Sequence, residues 1–150
     1  MKKSTIITPI FIMLSILSCK NVDNTKTKDT IVQIEKEALE RWLNRDVYGY
    51  LDLFSENATY IDEGTKLKLN GLDTIKKYIE PWQGKIYVPR YEIIKPTVKL
   101  SGDFGILTYN LYNFNEQGDT ILIWNCTELY EKIKKEWKIS HSHWSIVRQK

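Results

Sequence analysis

The chain is 150 residues long and carries 22 Lys and Arg against 19 Asp and Glu, a formal net charge of +3. Part of that excess sits in a leader, because Met1-Lys2-Lys3 is a positive start and Ile6 to Leu17 is an apolar run too short to span a bilayer. Removing residues 1–18 takes away Lys2 and Lys3, so +3 falls to +1 and nucleic acid is not an expected partner.

The leader ends Ile16-Leu17-Ser18-Cys19. A small residue before cysteine, with apolar residues two and three places upstream, resembles the lipobox of bacterial lipoproteins. The resemblance implies that Cys19 is lipidated and becomes the mature N-terminus. Each buried acyl methylene adds about 0.8 kcal/mol, so such a protein stays anchored to a membrane without crossing it. Lys20, where an Asp is the usual inner-membrane retention signal, favours the outer membrane of a bacterial cell envelope. The organisation expected is a signal peptide over 1–18, a lipidated tether over 19–29, and one domain over 30–150. That domain is of ordinary size and rich enough in Trp, Tyr, Leu and Ile to bury a core without disulfides. Its single remaining thiol, Cys126, has no partner within the chain and is expected to be buried.

Lys20 to Lys28 is polar and aperiodic, as a flexible tether is. Thr30 followed by Gln33 forms a capping box, after which Ile31, Ile34, Ala38 and Trp42 recur at helical spacing. A second short helix opens at Asp46 and offers Val47, Tyr50, Leu51 and Phe54. Ala58 to Asp62 is extended and broken by Gly64. Asn70 caps a third helix that turns Leu72, Ile75 and Ile79 inward and stops at Pro81. Strands follow over 86–100, 104–114, 120–132 and 137–149. Helices followed by long meandering strands predict an α+β domain, in which a curved antiparallel sheet wraps around about three N-terminal helices and encloses a conical cavity.

Several strings in this order carry a resemblance: Ala58-Thr59-Tyr60-Ile61-Asp62, Asn70-Gly71-Leu72-Asp73, Lys95 to Asp103, and Trp137-Lys138-Ile139-Ser140-His141-Ser142-His143-Trp144-Ser145. Over about Ile31 to Arg148 the chain resembles the nuclear-transport-factor-2-like superfamily. Within it, it is most similar to SnoaL-like proteins and to the association domain of calcium/calmodulin-dependent protein kinase II. The superfamily includes isomerases, cyclases, dehydratases, assembly hubs and binding proteins, so the fold alone names no activity.

Pairing Phe114 with Thr120 and Tyr130 with Trp137 sorts the strands into two faces. One holds Thr108, Asn110, Tyr112, Leu122, Trp124, Cys126, Glu128, Ile139, His141 and His143. The other holds Tyr109, Leu111, Ile123 and Trp144 among its apolar members. By resemblance to the kinase domain the first face lines the cavity, and the second is the surface of a two-fold homodimer. In that domain the positions matching Asn110 and Glu128 are arginines. Their replacement here removes the implied affinity for anions.

Asp62 matches the general-base aspartate of the related ketosteroid isomerases, which makes Asp62 and His141 the candidate catalytic acid–base groups. Tyr60, Tyr112 or a protonated Glu128 stand as candidate oxyanion donors, and the alternative for Asp62 is a structural role, capping a turn or accepting backbone hydrogen bonds near Gly64. Tyr60, Trp82, Asn110, Tyr112, Trp124, Glu128 and His143 form the candidate ligand-binding set. His141, His143 and Glu128 on one face would suit zinc or acid–base work, but the H-x-H spacing is too common to assign a metal. No cofactor motif is present. The leading expectation is a lipid-anchored protein that binds a small, mostly apolar ligand, and the alternative is a cofactor-independent isomerase, cyclase or dehydratase.

Overall fold

The computed structural model describes residues 24–148, so Cys19, the expected signal peptide and the first part of the expected tether lie outside the described residues. Helix α1 spans Asn24–Leu43 and α2 spans Tyr48–Leu51. Strands β1 (Phe54–Ile61) and β2 (Leu69–Asn70) follow, then helix α3 (Leu72–Ile79), which passes into a 3₁₀ turn over Glu80–Trp82. The chain ends in four long strands, β3 (Arg90–Ser101), β4 (Phe104–Phe114), β5 (Thr120–Ile133) and β6 (Glu136–Ile146). Together the strands make one curved sheet in the order β2-β1-β6-β5-β4-β3. Among the described residues no helix is long and apolar enough to cross a membrane.

The sheet is mixed rather than wholly antiparallel. β1 runs parallel to β6, with Thr59 opposite His141, and α3 and four strands lie between them in sequence. The helix starts also differ from expectation. α1 begins at Asn24, so residues 24–28 of the expected tether are helical, and the Thr30 hydroxyl donates back to the Lys26 carbonyl at 2.9 Å instead of capping an end. Asn70 lies in β2, and Gly71, at φ +82°, stands at the start of α3 with no side-chain cap. α2 begins at Tyr48 rather than at Asp46, whose Oδ1 accepts from the Tyr48 amide at 3.1 Å, and Phe54, expected in this helix, starts β1. α1 and α2 approach so closely that a Cβ on Gly49 would stand 2.5 Å from the Ala38 carbonyl oxygen.

α1 buries Ile31, Glu35, Ala38, Leu39 and Leu43, a stripe at helical spacing that lies on β3 and β4. Ile34 and Trp42, expected inward, are only half-buried. The unexpected member of the stripe is Glu35, which is 1% exposed. Its Oε1 accepts hydroxyl hydrogen bonds from Tyr50 at 2.6 Å and Tyr109 at 2.5 Å, and its Oε2 accepts one from Tyr130 at 2.5 Å. Glu128, wholly buried beside it, accepts from the Ser142 hydroxyl at 2.9 Å and the Cys126 thiol at 3.6 Å, while its Oε2 has no partner among the described residues.

Burial pushes both carboxyls above the ordinary range, and the neighbouring Glu35 charge pushes Glu128 further. Three tyrosine hydroxyls offset part of that rise at Glu35. Both carboxyls are thereby driven toward the neutral form, Glu128 more strongly, and the three tyrosine hydroxyls favour charge on Glu35 over charge on Glu128.

This arrangement has a signed consequence for stability. A folded-state pKa raised above the unfolded value near 4.5 means that the folded protein binds more protons above that pH. Stability is then fully present below about pH 4.5 and falls as pH rises through the raised value, with a slope of about 1.4 kcal/mol per pH unit for one group. Glu128→Gln imitates the neutral carboxyl. It should fold, and thermal melts between about pH 4.5 and 8 should show Tm declining with pH in the wild type and declining less in the variant. An equally steep decline in the variant would show that Glu128 is not the source of the pH dependence.

Candidate functional site

The concave face of the sheet is read from residues that stand directly opposite one another. Leu107 faces Glu128, Tyr109 faces Cys126 and Leu111 faces Trp124, while on the other side of β5 Glu128 faces Ser142 and Cys126 faces Trp144. The pairing of Phe114 with Thr120 is present, but the next pair is Asn113 with Leu122, so Ile121 is an extra residue in β5. A second extra residue, Ser140, separates the pairs Tyr130–Ile139 and Leu129–His141. Each such bulge reverses which side chains share a face beyond it.

The expected faces are corrected accordingly. Trp124, Cys126 and Glu128 do point inward. Asn110, Tyr112, His141 and His143 do not; they lie on the convex face, outside the cavity. Asn110 donates to the Asn125 carboxamide at 2.8 Å. His141 Nδ1 lies 2.7 Å from the Thr59 hydroxyl, and burial, with His143 and Lys68 nearby, lowers its pKa. Glu128 is thus on the opposite face from both histidines, and the expected trio does not form. The residues assigned to a dimer surface are corrected as well: Tyr109 and Leu111 are buried core, and Trp144 lines the cavity, so of that set only Ile123 lies on the convex face.

A cavity of about 400 Å³ opens between the C-terminal end of α1 and the strand ends that lie beside it. Leu39, Trp42 and Leu43 wall it from α1, Tyr50 from α2, and Tyr78 and Ile79 from α3. The sheet supplies Tyr60, Leu111, Asn113, Leu122, Trp124 and Trp144. Trp82, half exposed, stands at the rim with Ile86 and Val88. That rim segment is tied down where the Gln83 side chain accepts from the Val47 amide at 2.9 Å and Glu80 accepts from the Tyr48 hydroxyl at 2.7 Å. Of the 5 tryptophans in the chain, Trp42, Trp82, Trp124 and Trp144 line this space.

Asp62, just beyond the end of β1, is the charged group of the wall. Its Oδ1 accepts from the amides of Gly64 at 2.9 Å and Thr65 at 3.0 Å, and from the Tyr78 hydroxyl at 2.8 Å. Its Oδ2 accepts from Tyr60 at 2.9 Å. Burial, and then Asp62 itself, push the Tyr60 phenol well above its ordinary pKa and Tyr78 up to about 12, so both remain donors at neutral pH. Gly64 is required by this packing, because a Cβ there would stand 2.5 Å from the Tyr78 hydroxyl.

Beneath the cavity floor, Tyr50 hydrogen-bonds to Glu35, and the Trp144 indole donates to Ser142, which donates to Glu128. Glu35, Cys126 and Glu128 bring metal-type ligand atoms within 4.8 Å of one another. Both oxygens of Glu35 are already engaged by tyrosine hydroxyls, and burial holds the Cys126 thiol protonated, so these groups are committed to the interior hydrogen-bond network. Sequence reasoning missed Asn113 and Glu35. The signal for Glu35 was its place four residues from both Ile31 and Leu39 on one helical stripe; Asn113 could be placed only once the bulge at Ile121 was known.

A search of curated proteins found no match to this chain. Among solved structures, a protein of Parabacteroides distasonis provisionally assigned as a ketosteroid isomerase superimposes with a TM-score of 0.72 at 29% identity, covering 81% of this chain and 88% of that one. A protein of the NTF2-like fold and unknown function from Pseudomonas putida gives 0.72 at 19% identity, covering 83% and 89%. The association domain of CaMKII from C. elegans gives 0.67 at 18%, covering 81% and 96%. These likenesses establish the fold as NTF2-like. The family model of the SnoaL-like domain matches residues 31–149, nearly the whole region from α1 to the end of the sheet, and the chain belongs to the SnoaL-like domain family.

Proposed function

We propose that the protein binds a small, mostly apolar molecule in this cavity and does so tethered to a membrane through Cys19. The observation that carries the binding reading is the wall: about 400 Å³ enclosed by aromatic and aliphatic side chains, with one carboxylate held at its edge by two phenols. A hollow of this size and lining suits a compact hydrophobic guest with few polar groups. Four tryptophans around it make occupancy directly readable. Binding of N-phenyl-1-naphthylamine to the full-length protein should raise the probe's fluorescence and quench the tryptophans. Leu122→Trp, which fills the hollow from β5, should weaken that binding at least tenfold; equal binding by this variant would place the probe elsewhere.

The enzymatic alternative is favoured by one observation, that Asp62 borders an apolar cavity beside two hydroxyl donors. Two backbone amides also hold the carboxylate, so taking up a substrate proton would require it to give up hydrogen bonds it already has. This is why binding is the preferred reading. Asp62→Asn separates the two. Affinity for the neutral probe should change less than about threefold, whereas isomerisation of a β,γ-unsaturated ketone, if the wild type catalyses it, should fall at least a hundredfold. Such turnover and its loss would establish the enzyme.

The membrane tether rests on the sequence Leu17-Ser18-Cys19 behind a short apolar run. Metabolic labelling with an alkyne fatty acid should tag the wild-type protein and not Cys19→Ser. Equal labelling of the two would remove Cys19 as the anchor.

A further inference from the structure

Asn113 stands out on the cavity wall. On β4 the inward row is Leu107, Tyr109, Leu111 and Asn113, all buried, and packing alone would be served by an apolar fourth member. Asn113 is only 5% exposed, and its Oδ1 has no hydrogen-bond partner among the described residues. Leaving a buried amide oxygen unpaired is unfavourable, and native structures rarely retain one without a reason. A half-turn of the carboxamide exchanges its oxygen and nitrogen, so the group offers either an acceptor or a donor to whatever sits against it.

Its position relative to Asp62 gives the second half of the argument. Asp62 follows β1, whereas Asn113 lies on β4, with β6 and β5 between them. Three strand spacings are roughly 14 Å along the sheet, and less across the hollow of a curved one. The side chains between them on the wall, Trp124, Trp144 and Leu111, are apolar or aromatic. The cavity therefore has hydrogen-bonding groups on two separated walls and a hydrophobic middle.

We infer that the ligand is an elongated apolar molecule with a hydrogen-bonding group at each end, and that Asn113 selects a hydroxyl at the end remote from Asp62. The inference rests on the cavity being the binding site. A hydroxyl matches the carboxamide in either orientation, donating to Oδ1 or accepting from Nδ2. At the other end a hydroxyl can donate to the Asp62 carboxylate.

A matched series tests this: biphenyl, 4-hydroxybiphenyl and 4,4′-dihydroxybiphenyl, titrated by calorimetry into the full-length wild-type protein, Asn113→Leu and Leu122→Trp. In the wild type the diol should bind roughly five- to tenfold more tightly than the mono-ol, as one added hydrogen bond gives. In Asn113→Leu that preference should vanish while affinity for biphenyl is kept or improved. The ligand-free Asn113→Leu protein should also melt at a temperature no lower than the wild type, because the change removes an unpaired polar group. Equal affinity of the wild type for diol and mono-ol overturns the inference while leaving the cavity reading intact. A lowered melting temperature of Asn113→Leu also overturns it, since the amide would then have a structural partner. Absence of binding by all three probes, or binding that Leu122→Trp does not weaken, overturns the cavity reading and the inference with it.

Discussion

The buried carboxyl of Glu35 is the constraint around which the rest of the domain is arranged. A carboxylate in an apolar interior is unstable unless its charge is solvated, and here the solvation is supplied by hydroxyls of Tyr50, Tyr109 and Tyr130. Those tyrosines come from α2, β4 and β5, while Glu35 comes from α1. One carboxyl thereby fixes the rotation of the first helix, its distance from the sheet, and the inward direction of two strands. Any slip of β4 by one residue would remove Tyr109 from the cage and leave the carboxyl short of a donor. The hydrophobic stripe of α1 supplies most of the driving force for its burial, but it is non-directional. The polar cage supplies the direction.

The same cage divides the interior. Its tyrosines and the Glu128–Ser142–Trp144 chain fill the middle of the concave face, so the unfilled space is left at the far end, between the last turns of α1, α3 and the strand ends. Tyr50 and Trp144 belong to both regions: their polar atoms serve the buried acids or the serine beside them, and their rings form the cavity floor. The hollow is thus rigidly bounded below and bordered above by the segment from Trp82 to Val88, which side chains of Gln83 and Glu80 anchor.

The polar groups of the wall differ in their state. Asp62 already has four protein donors, so a ligand hydroxyl must share its carboxylate with them, whereas the Asn113 oxygen has none. This contrast between a satisfied and an unsatisfied group distinguishes scaffold from recognition more clearly than residue type does. It also explains why the residue with the closest match to a catalytic position is the less available one.

The order of helices before long strands, the α+β class, a cavity, and the presence of Asp62, Tyr60, Trp82 and Trp124 around it were all legible in the sequence. Periodicity reports local conformation, and the strings around Asp62 and Trp144 carry a family pattern. What the sequence did not reveal was the face on which β4 and the end of β6 present their side chains. Two single-residue bulges, at Ile121 and Ser140, decide that, and they moved Asn110, Tyr112, His141 and His143 outward while turning Tyr109, Leu111, Asn113 and Trp144 in. A bulge has little signature in composition, because it is set by pairing across the sheet. Glu35 escaped for a related reason: a charged residue on an apolar stripe reads as a solvated one until the three tyrosines, 15, 74 and 95 positions away in the chain, are brought to it by the fold. Local chemistry determined the elements of this protein, and only long-range pairing decided which of their side chains share the cavity.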